Sequence, residues 1–155
     1  MDLDAGALRG FVDLTLAVQQ EGRLLEGLRH AVLQQRASVA GGNQSGVEAS
    51  VRLASRALLT LQEARRHRAA VLQRLVGDPA QPLLEIETRF DTPLPEAFLV
   101  ARSTMRRSAT ETAHEVWRTQ ELLLGALRER DALLQELLTG SRPAQPAQRD
   151  ATEAG

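Results

Sequence analysis

A chain of 155 residues with 43% hydrophobic side chains has the length of one domain and enough apolar material to fold rather than remain a polymer. Aromatic residues make up only 3%, with no tyrosine, which argues against base-stacking surfaces and bulky sheet cores, and a net charge of −1 gives no drive toward nucleic acid. The lack of cysteine excludes disulfides and thiolate metal sites, acidic Asp2 and Asp4 stand where a secretory leader needs positive charge, and no apolar run reaches spanning length. The expectation is a soluble cytoplasmic protein with no integral membrane segment.

Leu, Ala, Arg, Glu and Gln dominate, and these are good helix formers. A first helix is expected from near Asp4 to about Ser38. The Asp4 carboxylate can accept from the free N–H groups of the first turn. Leu14, Val18, Leu25, Leu28, Val32 and Val39 form its apolar stripe. Gly10, Gly22 and Gly27 each weaken a helix by roughly 1 kcal/mol relative to alanine, so packing must hold it, with a close neighbour at Gly22. The AGGNQSG segment, Ala40 to Gly46, reads as a turn in which Gly41 or Gly42 takes the left-handed conformation and Ser45 caps the next helix. A loop this short joins antiparallel neighbours.

The second helix is expected from about Val47 to Val76, with Val51, Ala54, Leu58, Leu61, Ala64, Val71, Leu72 and Leu75 inward and Gly77-Asp78-Pro79 as its stop. Arg65, Arg66, His67 and Arg68 make a basic patch on it, read as a solvated face in preference to a phosphate site. Four prolines, Pro79, Pro82, Pro93 and Pro95, punctuate the connector that follows. Leu83, Leu84, Ile86 and Phe90 lie between them, so a short amphipathic helix is expected at about Leu83–Arg89, tucked against one end of a bundle. A passive tether would not need those apolar residues.

From Pro95 to Gly140 the periodicity gives one long third helix, on the order of 65 Å at 1.5 Å per residue, too long to be enclosed by a chain of this size. Its stripe is Phe98, Ala101, Met105, Ala109, Thr112, Val116, Leu123, Leu127, Leu134 and Leu137. Small residues come early; Leu122, Leu123, Leu124, Leu127, Leu133, Leu134, Leu137 and Leu138 come late. A single helical seam cannot bury leucines at consecutive positions, so either flanking helices or another chain must cover the remainder. Beyond residue 140 the sequence has no apolar periodicity, and residues 141–155 are expected to be a disordered tail.

Chemistry finds no foothold in this pattern. His30, His67 and His114 have no companions at metal-ligand spacing, and HEVWRTQ lacks the lysine and glycine of a phosphotransfer histidine. The pairs Glu85/Glu87 and Glu111/Glu115 read as solvent-facing or arginine-paired, Glu111 with Arg107, rather than as acid and base. AGGNQSG joins helices and has no phosphate-loop lysine. The expectation is a protein that is not an enzyme and uses no metal or other cofactor. Its partner-binding residues are expected to be Val116, Trp117, Leu122, Leu123, Leu124, Leu127, Leu133, Leu134, Leu137 and Leu138, on a helix backed by the second.

The segments LQEARRHRAAVLQRLVG (Leu61–Gly77) and RTQELLLGALRERDALLQELLTG (Arg118–Gly140), in this order across a proline-broken connector, resemble the flagellar export chaperone FlgN family. The resemblance covers most of residues 8–140 and implies an all-α fold: an elongated antiparallel three-helix bundle or coiled coil with a short extra helix in the connector. It further implies a cytoplasmic chaperone that binds the C-terminal helical segments of hook-associated proteins and delivers them to the flagellar export gate or export ATPase complex, as a monomer or weak homodimer. No aromatic residue follows Trp117, where export-gate binders of that family use one. Two other expectations stand beside it: a coiled-coil scaffold that self-associates through the same leucines, and nucleic-acid binding through the basic second helix.

Overall fold

The computed structural model describes residues 1–139. These form three α-helices and one 3₁₀ helix, with no strand among them: α1 (Ala5–Ala40), α2 (Gln44–Val76), the 3₁₀ helix (Leu83–Arg89) and α3 (Glu96–Thr139). Residues 140–155, which include the tail expected at 141–155, lie outside the described residues. The chain divides into two compact units, Met1–Thr119 and the stretch beginning at Gln120.

The helix ends follow from local chemistry. Asp4 is the N-cap of α1, its carboxylate accepting from the Ala7 N–H at 2.7 Å. α1 runs two residues past the expected Ser38, and Gly42, at φ 65°, is the glycine that takes the left-handed turn. Asn43, not Ser45, caps α2: its side-chain oxygen accepts from Gly46 N–H at 3.0 Å, so the helix starts at Gln44 rather than Val47. Ser45 instead donates its hydroxyl to the same Asn43 oxygen. Gly77, at φ 72°, closes α2 and its N–H donates to the Gln73 carbonyl. Pro95 stands just before α3, its carbonyl accepting from the Leu99 N–H at 3.2 Å.

Within Met1–Thr119, α2 runs antiparallel to α1. Gly10 lies against Leu75, Glu21 against Arg65 and Arg68, and Gly27 and Ala31 line the same groove as Leu53 and Ala57. The first part of α3 runs along α1 in the same direction, with Phe11 against Phe98, Gly22 against Met105, Leu25 against Thr112 and Arg36 against Glu115. The expected close approach at Gly22 is present: a Cβ there would lie 3.6 Å from the Met105 Cα.

The core sits where α1 begins and α2 ends. Phe11, Leu14, Val18, Val71 and Leu72 meet Ile86, Phe90 and Leu94 of the connector and Phe98 and Ala101 of α3. All three phenylalanines of the chain converge here, Phe11 packing edge-on against Phe90 and Phe98 at 5.1 and 5.3 Å between ring centres. The connector is thus a core element, as its apolar residues imply, although its turn is 3₁₀. Arg102 ties it down, donating to the Leu83 carbonyl and to Glu87, each at 2.8 Å, with its guanidinium 5.5 Å from the centre of the Phe98 ring.

Away from this end the inner faces turn polar. Glu21 is buried and held by Arg65 at 3.3 Å and Arg68 at 2.7 Å, so two members of the expected solvated basic patch instead make an inter-helix charge cluster. Arg66 and His67 remain exposed. On α3 the buried seam passes through Ser108, Thr112 and Thr119, while Ala109 and Val116 of the expected stripe are only half-buried. The Thr112 hydroxyl donates to the Leu25 carbonyl at 3.0 Å, which satisfies a polar side chain inside a helix contact. On α2, Val51 and Leu58, expected inward, are exposed, because the face turned to α1 is carried by Ser50, Leu61, Val71 and Leu72.

Candidate functional site

No group of described residues could hold a metal ion, and no helix among them is long and apolar enough to cross a membrane. Glu111 pairs across helices with Arg29 at 3.7 Å rather than with Arg107, and Glu115 meets Arg36 at 2.7 Å. The Arg29 guanidinium hydrogen-bonds Glu26 and holds its carboxyl below the usual carboxylate range. Arg102 does the same for Glu87. The first shift belongs to an ion pair one turn apart within α1 and the second to a pair that joins the connector to α3, rather than to a cleft with converging acid and base.

Exposed apolar surface remains as the feature to explain. In Gln120–Thr139 the leucines expected to bind a partner stand open: Leu122, Leu124, Leu127, Leu133 and Leu134 are exposed, and Leu137 and Leu138 are 79% and 83% exposed. Leu123 is half-buried. Leucine on a helix strengthens it without needing burial, so propensity alone can hold this stretch helical while its side chains face water. In the Met1–Thr119 unit, Val116 is half-buried and Trp117 is 60% exposed, as expected of a residue one position off the stripe.

Two sets of exposed apolar residues in the Met1–Thr119 unit were not singled out from sequence. Leu8, Val12 and Leu16 are exposed at four-residue spacing along α1, and with Phe11, Pro95 and Ala97 they border a groove of roughly 300 Å³. Leu53 and Leu59 are exposed on α2. The α1 set lies beside the inward-pointing Phe11 and Leu14, so its hydrophobicity reads as core in the sequence, and those buried neighbours are the signal that could have displaced it.

Comparison with known proteins found no matching family model, curated protein or solved structure.

Proposed function

We propose that this chain is a non-enzymatic helical export chaperone of the FlgN type, acting in the cytoplasm on hook-associated flagellar proteins. In this reading Met1–Thr119 is a three-helix bundle, with α1, α2 and the first part of α3 braced by the connector. The leucine face of Gln120–Thr139 receives the amphipathic C-terminal helix of a secreted subunit. Covering that helix prevents premature assembly, and delivery follows at the export gate or export ATPase complex.

The observation that carries the proposal is the open leucine face. Leucines left in water contribute no burial free energy beyond their helix propensity, and contiguous exposed apolar surface marks an interaction site. A helical partner fits because leucines at three- and four-residue spacing interlock with those of a second amphipathic helix, and helix-in-groove capture needs no cofactor or covalent chemistry. In the Met1–Thr119 unit, Trp117 is an exposed side chain of a type enriched at interfaces.

The test is affinity capture from lysate of a flagellated host, comparing the wild-type chain with a Leu127→Asp/Leu134→Asp variant. Enrichment of hook-associated subunits by the wild type and its loss in the variant, with helical content unchanged by circular dichroism, is the expected result. Failure to enrich any secreted flagellar subunit overturns the proposal.

A further inference from the structure

The contact between α1 and α3 changes character along its length. At its start Phe11, Leu14 and Val18 of α1 meet Phe98 and Ala101 of α3 inside the core. Further on, the α1 seam is Gly22, Glu26, Arg29, Leu33 and Arg36, and the α3 seam is Met105, Ser108, Thr112, Glu115 and Thr119. Both step by alternating three and four residues, so each set shares one helix face. Gly22 lies against Met105, and Glu26 and Ser108 line one cleft. Thr112 donates to the Leu25 carbonyl at 3.0 Å and Arg36 meets Glu115 at 2.7 Å, so the two faces are in register. Leu33 and Met105 are the apolar side chains of this second stretch, and both are only half-buried.

Burial of aliphatic and aromatic surface therefore holds the first stretch, and polar contacts hold the second. Two ion pairs cross it, Arg36 with Glu115 and Arg29 with Glu111 at 3.7 Å. Partly exposed pairs are weak and are screened by salt. Docking also leaves groups unsatisfied. Arg36 Nη1 and the Thr119 hydroxyl are buried with no hydrogen-bond partner among the described residues, and both regain water when the helices part. Thr112 loses nothing by parting. Its hydroxyl can turn from Leu25 to the carbonyl of Ser108, four residues back on its own helix, as the Thr110 hydroxyl already does with Arg106. Hydroxyls bonded in this way bend helices, and Ser103, Thr104, Ser108, Thr110 and Thr112 gather them where the seam turns polar.

We infer that residues 108–119 of α3 are a salt-sensitive strap, docked on α1 through the Arg29–Glu111 and Arg36–Glu115 pairs. The strap swings away by bending near Ser108 while the Phe98 end stays packed in the core. Opening uncovers Leu33 of α1 and Val116 of α3, both half-buried when the strap is docked, as apolar surface for a helical partner. That use of the opened face rests on the chaperone reading; the motion rests on the seam alone.

The experiment uses the full chain with no partner present, so its failure is separate from that of any capture assay. Because the chain has no native cysteine, spin labels are placed at Ala37→Cys/Ala113→Cys across the strap and at Asp13→Cys/Ala97→Cys across the core end, all at exposed positions. Pulsed dipolar spectroscopy at about 50 mM salt is expected to give one dominant distance for each pair. At about 1 M salt, where the screening length falls to roughly 3 Å, a longer distance should gain roughly threefold in population across the strap and not across the core end. At low salt Glu115→Arg should open the strap in the same way, and the exchange Arg36→Glu/Glu115→Arg should close it again. A strap distance that ignores salt, or an exchange variant as open as Glu115→Arg alone, overturns the inference. So does a change that appears equally at the core end, which is loosening of the whole bundle rather than a hinge.

Discussion

The charge cluster at Glu21 makes a directional prediction about stability. The Glu21 side chain is 4% exposed, whereas Arg68 and Arg65 retain 24% and 55% exposure. Removing both arginines, Arg65→Ala/Arg68→Ala, leaves a carboxylate in the helix contact with no cation. Breaking a buried pair in this way costs about 3–5 kcal/mol. Removing the carboxylate, Glu21→Ala, leaves two arginines whose long stems can carry their heads to water, at a cost of about 1–2 kcal/mol. For a chain of this size the double variant should lower the thermal midpoint by roughly 10 °C and Glu21→Ala by only a few degrees. Scanning calorimetry at neutral pH and low salt measures both. If Glu21→Ala destabilises as much as the double arginine variant, the arginines are not neutralising a buried charge, and the reasoning about the α1–α2 contact fails.

Three further outcomes follow from the same geometry. Phe98→Ala removes a fully buried ring that packs against Phe11 and lies under Arg102, and should cost about 3–5 kcal/mol in urea unfolding. A loss below 1 kcal/mol would show that the connector end is not the core. Asn43→Ala should cost about 1 kcal/mol by removing the α2 cap, and Ser45→Ala much less; equal losses in the same assay would contradict the assignment of the cap to Asn43. Glu87 is held below the usual carboxylate range by Arg102, so the stability it contributes is fully present above its unfolded pKa, about 4.3, and is lost as pH falls through the lower folded value. Glu87→Gln should therefore flatten the acid limb of the stability profile measured by urea unfolding, and an unchanged acid limb would remove the pair from the account.

Helix periodicity and stop signals made the order of elements legible: Asp4, Gly77 and the proline-rich connector act through local backbone chemistry that the sequence displays directly. The polar interior was harder to read. Thr112 and Ser108 are buried because small side chains let α3 approach α1 and because Thr112 finds a backbone carbonyl on α1, a partner distant in sequence. Glu21 reads as surface until the antiparallel register brings Arg65 and Arg68 to it. Asn43 and Ser45 are both good caps, and only the backbone conformation chooses between them.

For the candidate site, the surplus of leucine late in α3 was visible as a count exceeding one seam, and the exposure of Leu137 and Leu138 follows from it. Val51 and Leu58 misled for the opposite reason. A stripe of apolar residues on a helix says that something should cover it, not that the same chain does.

The central claim, that the exposed leucines of Gln120–Thr139 are a docking face for a helix, is most directly tested by calorimetric titration. Purified C-terminal helical segments of hook-associated proteins would be titrated into the wild-type chain and into Leu127→Asp/Leu134→Asp. The account requires saturable binding with a negative heat-capacity change by the wild type and none by the variant, whose thermal midpoint should stay close to wild type because both side chains already face water. Equal binding by the two chains would place the docking face elsewhere, and no binding by either would contradict the account.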